Sequence, residues 1–99
     1  MKINVPHRTT KAKARKIVES RMADAQKQFG HFIQSANYQW TGDVLAFEFK
    51  AKGFTGKGTL EVTDKEVIID GKLPLLAMPF ESKIKKTVQR EAESMFRTA

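Results

Sequence analysis

Apolar and polar residues alternate through the middle of the chain. The alternating apolar positions fall into four sets: Tyr38 and Trp40; Leu45, Phe47 and Phe49; Leu60 and Val62; and Val67 and Ile69. This period of two is typical of strands with one buried and one solvated face. Because turn residues separate the sets at 41–43, 53–58 and 63–65, the pattern predicts a four-stranded antiparallel meander joined by hairpins.

Before the meander, the pattern predicts a short strand and a helix. Residues 2–7 alternate in polarity, and Pro6 confines such a strand to a sheet edge or a strand end. The helix is expected to run from an N-cap at Thr9 or Thr10 to Phe29, with Gly30 as its C-terminal stop. Its apolar stripe, with helical spacings of four and three, consists of Ala14, Val18, Met22, Ala25 and Phe29.

After the meander, a second helix is predicted with Pro79 in its first turn. The positions expected to face inward on this helix are Phe80, Ile84, Val88, Ala92 and Met95. The element order β-α-β-β-β-β-α predicts an α+β fold in which one sheet and two helices share a core. With 99 residues, the chain is expected to form a single domain over residues 1–99.

Composition favours a globular protein, since 40% of residues are hydrophobic and 29% are charged. The longest apolar run, residues 73–80, is interrupted by two prolines and is far shorter than the ~20 residues of a membrane-spanning helix. The first residues lack the apolar stretch of a secretory signal, and the chain has no cysteine. We therefore expect a cytoplasmic protein without a transmembrane segment.

The net charge of +7 is concentrated near the N-terminus. The densest group of cations, here called the basic cluster, consists of Arg8, Lys11, Lys13, Arg15 and Lys16. It occupies the start of the first predicted helix, where the helix dipole disfavours positive charge. The basic cluster is therefore a candidate for contact with an anionic surface or a nucleic acid, although a solvated helix end screened by salt remains the alternative.

Two members of the basic cluster are expected near the core boundary. At 100° per residue, Lys11 and Arg15 fall beside the apolar stripe of the first helix, and Glu91 falls within the stripe of the second. We therefore predict a structural ion pair between Glu91 and either Arg15 or Lys11.

Residues that carry catalytic chemistry are scarce. The chain has no cysteine, and His7 and His31 lie in no recognised metal-ligand spacing. It also lacks a nucleophile elbow, a phosphate-binding loop and a dinucleotide fingerprint, because the glycines at 53, 56 and 58 are interpreted as turn residues. We expect no enzymatic activity, no metal and no cofactor.

Two apolar groups have alternative interpretations. The aromatic residues of the meander, which share one face, either pack in the core or stack on bases: Tyr38, Trp40, Phe47 and Phe49. The segment before the second helix either enters the core or leaves an apolar patch for a partner. The residues of that candidate patch are Leu75, Leu76, Met78 and Phe80.

The central sequences YQWTGDVLAF, residues 38–47, and GKGTLEV, residues 56–62, resemble the putative polyhydroxyalkanoic acid system protein family. The resemblance spans nearly the whole chain, since it also includes His7, Ala14-Arg15 and the leucine-rich segment 73–76 with Glu81 and Ile84. It implies a small bacterial protein at the surface of polyhydroxyalkanoate storage granules, with a helix-grip-like architecture.

The expected function is thus non-enzymatic binding to a polyhydroxyalkanoate granule or a granule protein. One alternative is a nucleic-acid-binding module that places the basic cluster on phosphates. Another is a carrier of a small hydrophobic ligand, with a cavity lined by Trp40, Phe47, Leu60 and Ile84. Homodimerisation through an exposed strand edge also stays open.

Overall fold

The order of helices and strands follows the sequence pattern closely. The computed structural model describes residues 1–31, 33–51, 54–72 and 75–97. Its elements are β1 (Lys2–Pro6), α1 (Lys11–Phe29), β2 (Ile33–Thr41), β3 (Val44–Ala51), β4 (Phe54–Val62), β5 (Glu66–Lys72), a 3₁₀ turn (Leu75–Phe80) and α2 (Glu81–Met95). The predicted α+β class and the order β-α-β-β-β-β-α are confirmed.

The five strands form one antiparallel sheet in the order β1-β5-β4-β3-β2. β1 joins the far side of the meander, where Ile3 pairs with Ile69 and Val5 with Val67. The sheet therefore has two edges, β1 and β2. In the part of the chain that the structure describes, neither helix is long and apolar enough to cross a membrane.

A tight turn joins β2 to β3. Thr41 pairs with Val44, and Gly42 between them has a φ of 60°. A positive φ at the first central residue of a two-residue hairpin is the pattern of a type II′ turn, which favours glycine. The next residue, Asp43, accepts a hydrogen bond from the backbone N–H of Val62 through its carbonyl oxygen at 2.9 Å. This hairpin end is thereby fixed against β4.

Gly56 and Gly58 lie inside β4, so their interpretation as turn residues was wrong. They pair with Phe49 and Phe47 on β3. A Cβ at residue 56 would lie 2.5 Å from Cζ of Phe49, and one at residue 58 would lie 2.5 Å from the carbonyl oxygen of Asp70. Glycine is needed here because a neighbouring ring or strand occupies the space of a side chain.

The core lies between one face of the sheet and the two helices. Its buried apolar residues are Ile3, Val5, Ala14, Val18, Leu45, Leu60, Val62, Val67, Ile69, Ala92 and Phe96. The first helix starts as predicted, since the Thr10 hydroxyl accepts a hydrogen bond from the backbone N–H of Lys13 at 3.2 Å. Ala14 and Val18 of its stripe are buried, whereas the side chains of Ala25 and Phe29 lie outside the described part of the chain.

The second helix begins later than the pattern predicts. Pro79 lies in the 3₁₀ turn, and the side chain of Phe80 is 61% exposed, so the expectation that Phe80 faces inward was wrong. A 3₁₀ turn advances by about 120° per residue. Residues in it therefore lose the angular phase of the α-helical stripe that follows.

Candidate functional site

A cluster of opposite charges joins the start of α1 to two turns of the sheet. The Lys11 Nζ lies 3.0 Å from Oδ2 of Asp43 and 3.8 Å from Oδ1 of Asp64. Asp43 also faces Arg15, whose Nη1 lies 3.9 Å from the other carboxylate oxygen, Oδ1. Asp43 belongs to the β2–β3 turn and Asp64 to the turn between β4 and β5. The charged cluster, defined as Lys11, Arg15, Asp43 and Asp64, therefore anchors the helix to the sheet.

Arg15 also contacts an aromatic ring. Its guanidinium carbon lies 4.3 Å from the centroid of the Trp40 ring, a distance typical of a cation–π contact. The sequence pattern predicts Glu91 as the partner of Arg15, but the acid that Arg15 contacts is Asp43. Glu91 is exposed on α2, and among the described residues no ion pair joins it to Arg15 or Lys11.

The charged cluster changes the acid–base behaviour of Lys11. The hydrogen bond from its ammonium to Asp43 raises the pKa of Lys11, and the negative charges of Asp43 and Asp64 act in the same direction. Lys11 is therefore held in its charged form by groups of the protein itself.

The basic cluster is divided by this arrangement. Lys11 and Arg15 face acids, whereas Arg8, Lys13 and Lys16 are exposed and have no ion pair among the described residues. Arg8 lies in the β1–α1 connection with a φ of 56°. Contact of the basic cluster with an anion stays a prediction. The three exposed members that are not paired with acids are Arg8, Lys13 and Lys16.

The 3₁₀ turn presents an apolar surface to solvent. The side chain of Met78 is 52% exposed and that of Phe80 is 61% exposed. We call these two side chains the Met78–Phe80 surface. They belong to the patch predicted from the sequence, while the side chains of Leu75 and Leu76 lie outside the described residues. Exposed methionine and aromatic side chains are common at contact surfaces.

Three cations outside the basic cluster follow this surface in the sequence. Lys83, Lys85 and Lys86 are exposed in the first turns of α2. Lys83 lies three residues after Phe80, which is about one helical turn. The signal was present in the sequence as Lys-Ile-Lys-Lys directly after the apolar segment. An apolar surface next to cations can contact a boundary that is apolar inside and anionic outside.

A shallow groove of about 800 Å³ crosses the opposite face of the sheet. Polar side chains from four strands line it, among them Asn37, Gln39, Glu48, Lys57, Asp70 and Lys72. It lies on the solvent face, away from the helices. On the helix side, Leu60 is buried and Trp40 and Phe47 pack against the core. The groove is therefore a different feature from the enclosed cavity that a hydrophobic-ligand carrier needs.

The aromatic face of the meander is divided between core and surface. Trp40 and Phe47 are partly buried against the core, whereas Tyr38 near the sheet edge is 45% exposed. Core packing therefore accounts for Trp40 and Phe47, and Tyr38 is the member that a partner can reach.

His7 is fully buried between β1 and α1. Its Nδ1 accepts a hydrogen bond from the backbone N–H of Thr9 at 3.2 Å, and its Nε2 lies 2.7 Å from the carbonyl oxygen of Thr63. Since a carbonyl can only accept, Nε2 carries the proton and the ring is a neutral tautomer. The Phe96 ring packs against it at 6.1 Å between centroids. Both ring nitrogens therefore serve the fold.

Comparison with known proteins identifies a matching family. A family model described as putative polyhydroxyalkanoic acid system protein matches residues 1–96. No curated protein matches the chain, and no solved structure matches it either.

Proposed function

Because the chain belongs to the putative polyhydroxyalkanoic acid system protein family, we propose that it acts by binding at the surface of polyhydroxyalkanoate granules in the bacterial cytoplasm. The Met78–Phe80 surface contacts the polymer or a protein that coats it. The observation that carries this proposal is the exposure of two large apolar side chains in one turn.

The apolar part of the contact is physically adequate for reversible attachment. Fully burying a side chain such as Met or Phe contributes about 1.5–3 kcal/mol. Part of each side chain is already covered in the free protein, so the gain per residue is smaller. Several weak contributions must therefore combine for stable attachment.

The adjacent lysines supply a second contribution. Each cation near an anionic surface contributes about 1 kcal/mol, and this attraction falls off within a Debye length of about 8 Å at physiological salt. Lys83, Lys85 and Lys86 follow the Met78–Phe80 surface within one or two turns. Binding is therefore proposed to combine a salt-resistant apolar part with a salt-sensitive ionic part.

Two polar groups that could carry chemistry are engaged in contacts of the fold. His7 has both ring nitrogens in hydrogen bonds of the fold, and Asp43 faces two cations. Among the described residues, no group of three or more histidines and acids is placed to hold a metal ion. The proposed role is that of a binding protein.

The test is co-sedimentation of the purified protein with polyhydroxybutyrate granules at low and high salt. The double variant Met78→Ser/Phe80→Ser removes the apolar surface. Its matched control is Ile68→Ser, which changes a partly buried apolar side chain on the solvent face of β5. Circular dichroism checks that each variant is folded.

We expect the wild-type chain to stay on granules at high salt and the double variant to be released. The control should bind like the wild type. If the double variant binds as well as the wild type, the proposal that the Met78–Phe80 surface contacts the granule is wrong. A parallel sedimentation with RNA and DNA tests the nucleic-acid alternative, which requires binding that weakens steeply with salt and is lost in Arg8→Gln/Lys13→Gln/Lys16→Gln.

A further inference from the structure

The two edges of the sheet differ in how they are protected. β1 has only five residues, begins at Lys2 and ends at Pro6, and α2 packs beside it. Short length, a charge and a proline are devices that keep an edge strand from pairing with another chain. The β1 edge therefore carries several of them at once.

β2, at the other edge, carries almost none of these devices. It has nine residues, Ile33–Thr41, with the sequence IQSANYQWT. Residues 34–39 are all exposed. An irregularity in register lies between Ile33 and Ser35, and from Ser35 to Thr41 the pairing with β3 is regular. Seven regular residues therefore leave a row of backbone N–H and C=O groups directed away from the sheet.

Charge points to a second copy of the chain as the partner. The protein has a net charge of +7, so two copies repel each other unless the contact avoids cations. Of the five strands that the structure describes, β2 alone contains no charged residue. The one long, exposed edge is thus also the strand on which two copies can meet without opposing like charges.

We propose that β2 pairs antiparallel with β2 of a second copy, giving a two-fold symmetric dimer with a continuous ten-stranded sheet. The backbone groups directed away from β3 belong to every second residue, so residues that face each other must both be even or both be odd in number. The register centred on β2 places Asn37 opposite Asn37 of the partner subunit. Tyr38, which is 45% exposed, then lies opposite Ala36 of the partner subunit and gains cover.

This register also fixes the arrangement of the layers. Because even-numbered β2 residues face the helices and odd-numbered ones face the groove, pairing of like parity keeps all helices on one side. Asn37 and Gln39 line the groove, so the grooves of the two subunits adjoin at the two-fold axis. The dimer thereby presents one polar groove across the continuous sheet.

Sedimentation velocity of the full chain over a range of concentrations tests the proposal. We expect the mass of the wild-type chain to rise from 11.2 kDa to twice that value. Asn37→Lys and Asn37→Glu each place like charges opposite each other and should remain monomeric. An equimolar mixture of the two variants should regain the dimer, because Lys then faces Glu.

Thr59→Lys and Thr59→Glu are the matched controls. Thr59 is exposed on the same face but on the central strand β4, so these variants change the net charge equally and should dimerise like the wild type. The proposal is overturned if the wild-type chain stays monomeric at every concentration, if the Asn37 variants dimerise normally, or if the mixture does not recover.

Amide hydrogen exchange on the wild-type chain gives a readout that needs no variant. Alternate β2 amides, those directed away from β3, should exchange more slowly as protein concentration rises. Exchange of these amides that is independent of concentration contradicts the pairing, as does protection that appears at β1 instead.

Discussion

The guanidinium carbon of Arg15 lies 4.3 Å from the centroid of the Trp40 ring. Arg15 is in the second turn of α1, and Trp40 is near the end of the edge strand β2. The same guanidinium faces Asp43 in the adjoining hairpin turn. One side chain therefore connects the first helix to both the edge strand and the turn that follows it.

Replacing Arg15 tests this connection. Arg15→Ala removes the contact with the ring and the ion pair, and we expect a loss of about 1 kcal/mol in the free energy of unfolding. Arg15→Lys should recover only part of it, since an ammonium lacks the planar face that stacks on indole. Denaturant unfolding followed by Trp40 emission measures both, because the chain has a single tryptophan.

Arg21→Ala is the control for this series. Arg21 is exposed on the same helix, and surface substitutions of this kind usually change stability by less than about 0.5 kcal/mol. If Arg15→Ala costs no more than Arg21→Ala, the contact between Arg15 and Trp40 contributes nothing measurable.

The ammonium of Lys11 should titrate above the ordinary pKa of a lysine side chain. Its hydrogen bond with Asp43 raises the pKa of Lys11 above the ordinary value of 10.5. NMR of ¹³C-dimethylated lysines can measure this pKa directly. Asp43→Asn should move it back towards the ordinary value, whereas Asp70→Asn on the opposite sheet face should leave it unchanged. Equal titration of Lys11 in all three proteins contradicts the assignment.

The sign of the linked stability effect follows from this shift. A group whose pKa is raised by folding stabilises the fold fully below its unfolded-state pKa. For Lys11, that contribution is therefore present below pH 10.5 and is lost as the pH rises through the higher folded-state pKa. Unfolding experiments across this alkaline range should show a smaller pH dependence in Asp43→Asn than in the wild type.

Much of the fold follows from two sequence periods. The alternation in the meander predicts four strands in hairpin order, and the stripe containing Ala14 and Val18 predicts the inward face of α1. The cap at Thr10 is also local, since its hydroxyl binds an N–H three residues later. Features set by neighbours in sequence were therefore predictable.

Features that depend on residues distant in the sequence but close in space were not predictable. Asp43 is 32 positions from Lys11, and nothing in a helical projection indicates that a hairpin turn brings it beside the helix. Gly56 resembles a turn residue until the Phe49 ring on the adjacent strand is placed over it. A glycine required by a ring and a glycine required by a turn look alike in a single sequence.

The glycines of the sheet should differ in their tolerance of alanine. At residue 58, a Cβ meets backbone atoms of β5, with the Asp70 oxygen at 2.5 Å and Cα of Gly71 at 2.8 Å. Because paired strands cannot move apart without a large loss of stability, we expect Gly58→Ala to lower the free energy of unfolding by about 1–3 kcal/mol. At residue 56 the Cβ would meet the end of the Phe49 ring. Because this ring can rotate away, Gly56→Ala should lower the free energy of unfolding by less.

A double-mutant cycle distinguishes the obstacle formed by the Phe49 ring at residue 56 from the obstacle formed by the β5 backbone at residue 58. Phe49→Leu should reduce the cost of Gly56→Ala but not that of Gly58→Ala, and denaturant unfolding gives the coupling energy. Thr59→Ala, at an exposed neighbouring position, serves as the control. If the losses in the free energy of unfolding for Phe49→Leu and Gly56→Ala are strictly additive, the Phe49 ring is not the reason that residue 56 is glycine.

His7 should contribute more to stability than any exposed polar residue of β1. Its side chain is fully buried, and its ring makes one hydrogen bond as acceptor, one as donor, and a contact with Phe96. His7→Ala leaves a cavity and two unpaired backbone groups, so we expect a loss of about 2–4 kcal/mol in the free energy of unfolding.

His7→Gln can keep the N–H that donates to Thr63 and should lose less. Asn4→Ala, at an exposed position on the preceding strand β1, should change stability by under about 0.5 kcal/mol. Equal unfolding midpoints for His7→Ala and Asn4→Ala show that the buried ring is dispensable.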